Sequence, residues 1–242
     1  MDATDFAAAA GAPLNAAGAA FYFHPDTLAR GKELGLDGFR FYALGRASVL
    51  GDVAPEVVQA AFGYFHVDLI AKIHGSAKEV IAPSEVAPVY HECSADFGRK
   101  HFAEVEGLEG FCAGAEAIIA AQPPAGLSLY AAWAAAPRAE DVSGRASQLA
   151  SVLRELRGSA HLVAVLASGL TDQQAHFLKR PDDYTTFGWS DPPEIDDSHR
   201  AAMDAAEELT NRMLAPAFSA VPESDRAAFV AACEGLRAAS GR

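Results

Sequence analysis

Residues 141–167 read DVSGRASQLASVLRELRGSAHLVAVLA, and the state of this stretch decides the fold. Asp141 and Ser143 are both suited to cap a helix, because a short oxygen-bearing side chain can accept from the free amides of a first turn. Leu149, Val152, Leu153 and Leu156 recur at spacings of three and four, the period of one helical face. A helix is therefore expected as far as Arg157. Gly158 is expected to interrupt it before Ala160 to Ala167 resumes as an apolar stretch. By composition that last part could be a strand. Its helical neighbours favour helix.

The flanks carry the same signals. Leu127 to Ala136 is short and apolar, reads as a buried helix, and is stopped by Pro137. Thr171-Asp172-Gln173-Gln174 has the form of a capped start for a short helix to Lys179, and Asp196 to Ala215 and Glu223 to Ala239 read as amphipathic helices. Toward the N-terminus, Pro25-Asp26 opens a helix that stops at Gly35, and Asp37 caps a second through Phe41, Tyr42 and Arg46. Pro55 begins a long amphipathic helix whose Val58, Phe62, Phe65, Leu69 and Ile73 run toward Gly75. Further helices are expected from Pro83 through Phe102 and from Leu108 to Ala121. Residues 1–12 read as a loose arm or frayed helix. Pro123-Pro124-Ala125-Gly126 is the best internal boundary, dividing an N-terminal helical domain (13–124) from a C-terminal one (125–242). Arg180 to Glu194, with four Pro and Gly residues, is expected to be irregular. Nothing alternates with period two, and no repeat is visible. The expected fold class is all-α, a multi-helix orthogonal bundle.

Composition limits the partners. Half of the 242 residues are hydrophobic, enough for a substantial core, and 32 acids against 19 bases leave a formal net charge of −13. Such a field repels phosphate backbones and anionic membranes, so nucleic acid is disfavoured. The longest apolar run, Leu129 to Ala136, is far shorter than the roughly 18 residues of a membrane span. Three cysteines, Cys93, Cys112 and Cys233, make no disulfide framework or zinc knuckle. With an acidic start at Asp2 and Asp5, the expectation is a soluble cytoplasmic protein, and amphipathic terminal helices suggest a homodimer.

Common catalytic signatures are missing: there is no HExxH, GxSxG, Walker loop, GxGxxG or paired CxxC. No two of the eight histidines lie three or four apart, so none share a helical face as metal ligands; His66 and His74 fall roughly 80° apart around a helix. No metal or cofactor is required, and haem or a metal would need ligands converging from separate helices. The most unusual local string is Arg154-Glu155-Leu156-Arg157-Gly158-Ser159-Ala160-His161. It sets two arginines, an acid and a histidine before an apolar stretch, where arginine could hold a carboxylate or phosphate in bidentate fashion. The plainer alternative is a helix break whose arginines pair with surface acids.

Three aromatic strings, Phe21-Tyr22-Phe23-His24, Phe39-Arg40-Phe41-Tyr42 and Phe62-Gly63-Tyr64-Phe65-His66, could line a pocket or could simply be core. Arg46 lies in an apolar helix and needs a partner, either an acid or an anionic ligand. Trp189 is a lid or, more simply, an anchor for its loop. Candidate ligand-binding residues are thus Tyr22, His24, Phe41, Tyr42, Arg46, Tyr64, Arg157 and Trp189. His66 and His161 are candidates for general acid/base work, since histidine titrates near neutrality.

Tyr22-Phe23-His24-Pro25, Leu34-Gly35-Leu36-Asp37-Gly38-Phe39, Gly45-Arg46-Ala47-Ser48-Val49-Leu50-Gly51, Tyr64-Phe65-His66, Leu156 to His161 with Gly169-Leu170, and Gly188-Trp189-Ser190 fall in an order that resembles a family of uncharacterised bacterial proteins. That family joins an N-terminal helical domain to a C-terminal helix-turn-helix or winged-helix region. The resemblance implies a mostly helical, ligand-binding, regulator-like protein and assigns no catalytic residue. It also implies a DNA-reading helix and wing after Gly188-Trp189, where this chain instead has Pro192-Pro193. Between Pro181 and His199 there are six acids and no Lys or Arg, so DNA reading is expected to be lost. The leading functional expectation is a binder of a small organic ligand. The alternatives are an enzyme of specialised metabolism and a ligand-responsive transcriptional regulator.

Overall fold

The computed structural model describes residues 1–241. Twelve α-helices follow one another: α1 (Ala3–Gly18), α2 (Pro25–Glu33), α3 (Gly38–Ala47), α4 (Pro55–Phe62), α5 (Val67–Lys78), α6 (Pro83–His101), α7 (Leu108–Ala121), α8 (Ser128–Ala135), α9 (Val142–Ala167), α10 (Asp172–Lys179), α11 (Asp197–Phe218) and α12 (Glu223–Ala239). Two 3-10 turns, Ser48–Leu50 and Pro181–Phe187, complete the regular structure, and no strand occurs among the described residues. The all-α expectation holds.

Local chemistry sets many of the boundaries. The side chains of Asp37, Asp141 and Thr171 accept from the backbone amides of Arg40, Gly144 and Gln174, at 2.9, 2.8 and 3.1 Å. Each satisfies an amide that a helix start would otherwise leave free. Pro25, Pro55 and Pro83 occupy first positions, where a missing N–H costs nothing.

The centre of the bundle is α9, 26 residues long. It packs against α1, α6, α7, α8 and α11, and between Ala146 and Ala160 buried residues occur on all its sides, Leu149, Leu153 and Leu156 on one and Ser147, Gln148, Ser151, Val152 and Glu155 on the others. Its polar side is buried too and finds partners inside the bundle, Gln148 donating to the His91 carbonyl and Ser151 to that of Gly18. Small side chains let those neighbours approach. At Gly98 of α6 a Cβ would lie 2.2 Å from the Ser143 carbonyl oxygen, and at Gly18 of α1 one would lie 2.5 Å from that of Ala150. Gly98→Ala is therefore expected to push α6 off α9, costing about 2 kcal/mol and lowering Tm by about 5 °C in a thermal melt followed by circular dichroism.

Three local expectations need correction. Residues 1–12 are no arm: they form most of α1, and Phe6 is fully buried, edge-on to Phe218 and Phe229 with ring centroids 5.3 and 5.4 Å apart. Its alanines are strong helix formers, small enough for close packing. Gly158 does not interrupt α9, because tertiary packing on both sides outweighs the fraction of a kcal/mol or so by which glycine disfavours a helix. The helix expected from Pro55 to Gly75 is instead α4 and α5, broken where Gly63 (φ 58°) and Tyr64 (φ 61°) turn left-handed.

The apolar core runs from Phe6 to Leu236 and continues across the Pro123–Gly126 turn. The apolar faces of α11 and α12, the basis for expecting a homodimer, are occupied within the chain: Leu214, Phe218, Phe229 and Leu236 all belong to this core.

Candidate functional site

Arg46 on α3 projects into the core one turn after Tyr42. Its Nε and Nη2 donate to Oε1 and Oε2 of Glu155 at 2.9 and 2.8 Å, the two-pronged geometry that arginine favours. Nη1 donates to the Tyr42 hydroxyl at 2.9 Å, and the guanidinium lies 4.1 Å from the Phe62 ring centroid. From the neighbouring position on α9, Arg154 donates to the same carboxylate at 2.7 Å, as does the Tyr22 hydroxyl. Burial pushes the Glu155 carboxyl up, but Arg46 and Arg154 outweigh it and hold the group at about 2. Two guanidinium groups therefore face one carboxylate, leaving one positive charge over.

Farther along α9, Arg157 donates through Nη2 to Glu207 of α11 at 2.6 Å. Lys179 of α10 binds the other carboxylate oxygen, and His161 Nε2 lies 3.7 Å from it. The His161 Nδ1 is 2.9 Å from the Thr210 hydroxyl. Glu207 too is held at about 2: burial acts against the charge, and Lys179, Arg157 and His161 outweigh it. His161 is lowered as well, which for histidine favours the neutral form. Burial lowers it to about 4 despite the pull of Glu207, so its ring is neutral at neutral pH.

These groups surround one cavity of about 570 Å³ between α1, α3, α4, α9, α10 and α11. Phe62, Phe65 and Phe187 form an apolar wall, and Arg46, Arg154, Arg157, Lys179 and Arg180 supply five cationic groups. The only carboxylate among the lining side chains is Glu207, with Glu155 directly behind. Five buried polar atoms of the lining have no hydrogen-bond partner: Arg154 Nε, Arg157 Nε, His161 Nε2, His176 Nε2 and Asn211 Oδ1. A buried donor or acceptor left unpaired costs about 1–3 kcal/mol.

Five of the ten candidate residues line this cavity: Tyr42, Arg46, Tyr64, Arg157 and His161. Tyr22 stands behind it, bonded to Glu155. Phe41 is core, edge-on to Tyr90 with centroids 5.2 Å apart. His24 is elsewhere, capping α2 with its ring against Phe97 and His101. His66 caps α5 at 3.2 Å from the Asp68 amide, with its ring edge-on to Trp189, and does not line the cavity. Trp189 is an anchor: its indole N–H donates to the Tyr64 carbonyl at 2.6 Å, while the His66 amide donates to the Phe187 carbonyl at 2.8 Å. The loop thereby fastens the left-handed turn that carries Tyr64. Arg154, from the string singled out in the sequence, also lines the cavity, as do Lys179, Arg180, His176, Glu207 and Asn211, which the sequence does not mark as ligands. Arg154 has a local signal, since 154, 157, 158 and 161 share one helical face. Glu207 and Asn211 carry none, being some fifty residues away along the chain.

Residues 7–192 match the Helix-turn-helix family, more than half of the chain. The chain belongs to the helix-turn-helix family. No curated protein and no solved structure matches it. The family span runs from α1 to the loop after α10, whereas Glu207 and Asn211 stand on α11 beyond it. Within the family span, α4 and α5 form a pair joined by the turn 63–66, whose Tyr64 and Phe65 line the cavity. Exposed Glu56 and Asp68 offset Lys72 on this pair, and Lys78 is bound to Asp52. Gly188 to Asp196, where the sequence resemblance implied a DNA-reading helix, is irregular. No group of three or more potential metal ligands occurs among the described residues, and no helix there is long and apolar enough to cross a membrane.

Proposed function

We propose that this helix-turn-helix family member is a regulator-like protein that binds a small organic anion with an apolar body in the α9-centred cavity, and that it does not read DNA. One observation carries the proposal. In a chain of net charge −13, five cationic side chains gather around one cavity against two carboxylates. Lining polar atoms remain unpartnered, and Phe62, Phe65 and Phe187 add an aromatic surface. A carboxylate or phosphate would satisfy the guanidinium groups, and an apolar body would lie along Phe62, Phe65 and Phe187.

Support for the second part comes from charge. Asp182, Asp183, Asp191, Glu194, Asp196 and Asp197 are all exposed, and the segment that carries the first of them is fastened over the α4–α5 turn through Phe187 and Trp189. Phosphate backbones are repelled there. Acid/base catalysis draws less support: His66 is outside the cavity, and His161 is oriented by a hydroxyl and is a weak base.

A thermal-shift panel of organic carboxylates and phosphates tests the binding proposal. At least one is expected to raise Tm, and Arg157→Ala is expected to weaken that ligand at least tenfold. Unchanged affinity in the variant would contradict it. In a gel-shift assay at low salt no specific band is expected, and a specific band would contradict the second part.

A further inference from the structure

We propose that the ligand is a carboxylate that takes the place of Glu207 on Arg157 and Lys179, making Glu207 an internal competitor for the site. This deepens the binding proposal above and rests on it. Glu207 already shows what the site accepts. Its planar carboxylate meets Arg157 Nη2 at 2.6 Å, binds Lys179 and stands 3.7 Å from His161 Nε2.

The two carboxylates of the site differ in how they are held. Glu155 is enclosed, with a side-chain exposure of 1%, and is gripped through both oxygens by Arg46. Glu207 is open, with an exposure of 28%, and reaches the site from α11 on a flexible stem. Removing Glu155 from its partners would leave buried charges unpaired, while Glu207 can swing toward solvent. An unused donor for a guest head group stands beside it, the unpartnered Arg157 Nε. Gly11 of α1 leaves that donor room, since a Cβ there would lie 2.8 Å from Arg157 Nε. The Glu207 carboxylate also ties α11 to Arg157 of α9 and Lys179 of α10. Its displacement loosens α11 from both, which converts occupancy of the cavity into a change on the outside of the bundle.

The test uses benzoate and acetate as probes on wild-type, Glu207→Ala and Glu207→Gln proteins. The glutamine variant keeps the side-chain shape and removes the charge. Calorimetry is expected to show benzoate bound at least tenfold more tightly by both variants than by wild type. Acetate is expected to raise the Tm of Glu207→Ala, by filling the place of the missing carboxylate, while chloride at equal ionic strength does not. Equal or weaker benzoate binding in both variants, with binding still lost in Arg157→Ala, would overturn the displacement and leave the cavity's anion binding standing. Binding of benzoate by none of these proteins would overturn the displacement, and silence across the carboxylate and phosphate panel as well would overturn both proposals. Phenyl phosphate outcompeting benzoate in Glu207→Ala would overturn the carboxylate assignment.

Discussion

Glu155→Gln is expected to lower the stability of the fold by about 3–5 kcal/mol, a fall in Tm on the order of 10 °C. The substitution hardly changes volume, so the effect is electrostatic. Glu155 is fully buried and its carboxylate accepts from Arg46, Arg154 and Tyr22. With the charge gone, two guanidinium groups stand together without a counter-ion. Arg46 suffers most, being buried itself and enclosed by Tyr42 and Phe62. Removing both members of the pair is a different experiment. Arg46→Met with Glu155→Leu replaces an ion pair by apolar groups and is expected to recover most of the loss, because a buried pair is costly to break and often nearly neutral to replace. Thermal and urea unfolding of the single and double variants measures this. A single variant as stable as wild type would show that the network is not what fixes α3 against α9.

Acid is expected to unfold the protein between about pH 6.5 and 4, before its carboxylates titrate. Burial lowers both His91 and His161 from an ordinary 6.5 to about 4, with Arg138 beside the first and Lys179 and Arg157 beside the second adding to the effect. In both cases the folded state binds its proton later than the unfolded chain does. Stability is therefore complete above about 6.5 and is lost as pH falls through that window, since the unfolded state takes up protons that the folded state refuses. Each histidine contributes up to about 3 kcal/mol, because every tenfold weakening of proton binding in the folded state corresponds to about 1.4 kcal/mol. Together they reach much of the total stability usual for a domain. Glu155 and Glu207, both held at about 2, act in the same direction below about 4.5. Urea unfolding at pH 7, 6, 5 and 4 measures the slope, and His161→Gln is expected to flatten it. Stability unchanged between pH 7 and 5 would contradict the burial of these rings.

Much of the helical frame was legible in the sequence because its signals are local. The caps at Asp37, Asp141 and Thr171 and the stops at Gly35 and Pro137 need only neighbours a few residues away. What local chemistry cannot supply is the energy of packing. α1 forms because its small face fits α9, and α9 passes through Gly158 because buried residues on either side, Leu156 before it and Ala160, Ala164 and Val165 after it, hold it in the bundle. The break at Gly63-Tyr64 is set by Trp189, 125 residues away, holding the Tyr64 carbonyl. The same division runs through the site. Arg46, Arg157 and His161 were legible as charged or titratable groups in apolar surroundings, each in need of a partner. The partner of Arg157 was not, because Glu207 stands on another helix and looks like any surface acid in an amphipathic pattern.

Anion binding in the cavity is tested most directly by titrating benzoate and its neutral counterpart, benzyl alcohol, into wild-type and Arg157→Ala proteins by calorimetry. Benzoate is expected to bind the wild type at least tenfold more tightly than benzyl alcohol does, and to lose that advantage in the variant. Equal binding of the charged and neutral probes, or an advantage that survives the loss of Arg157, would contradict it.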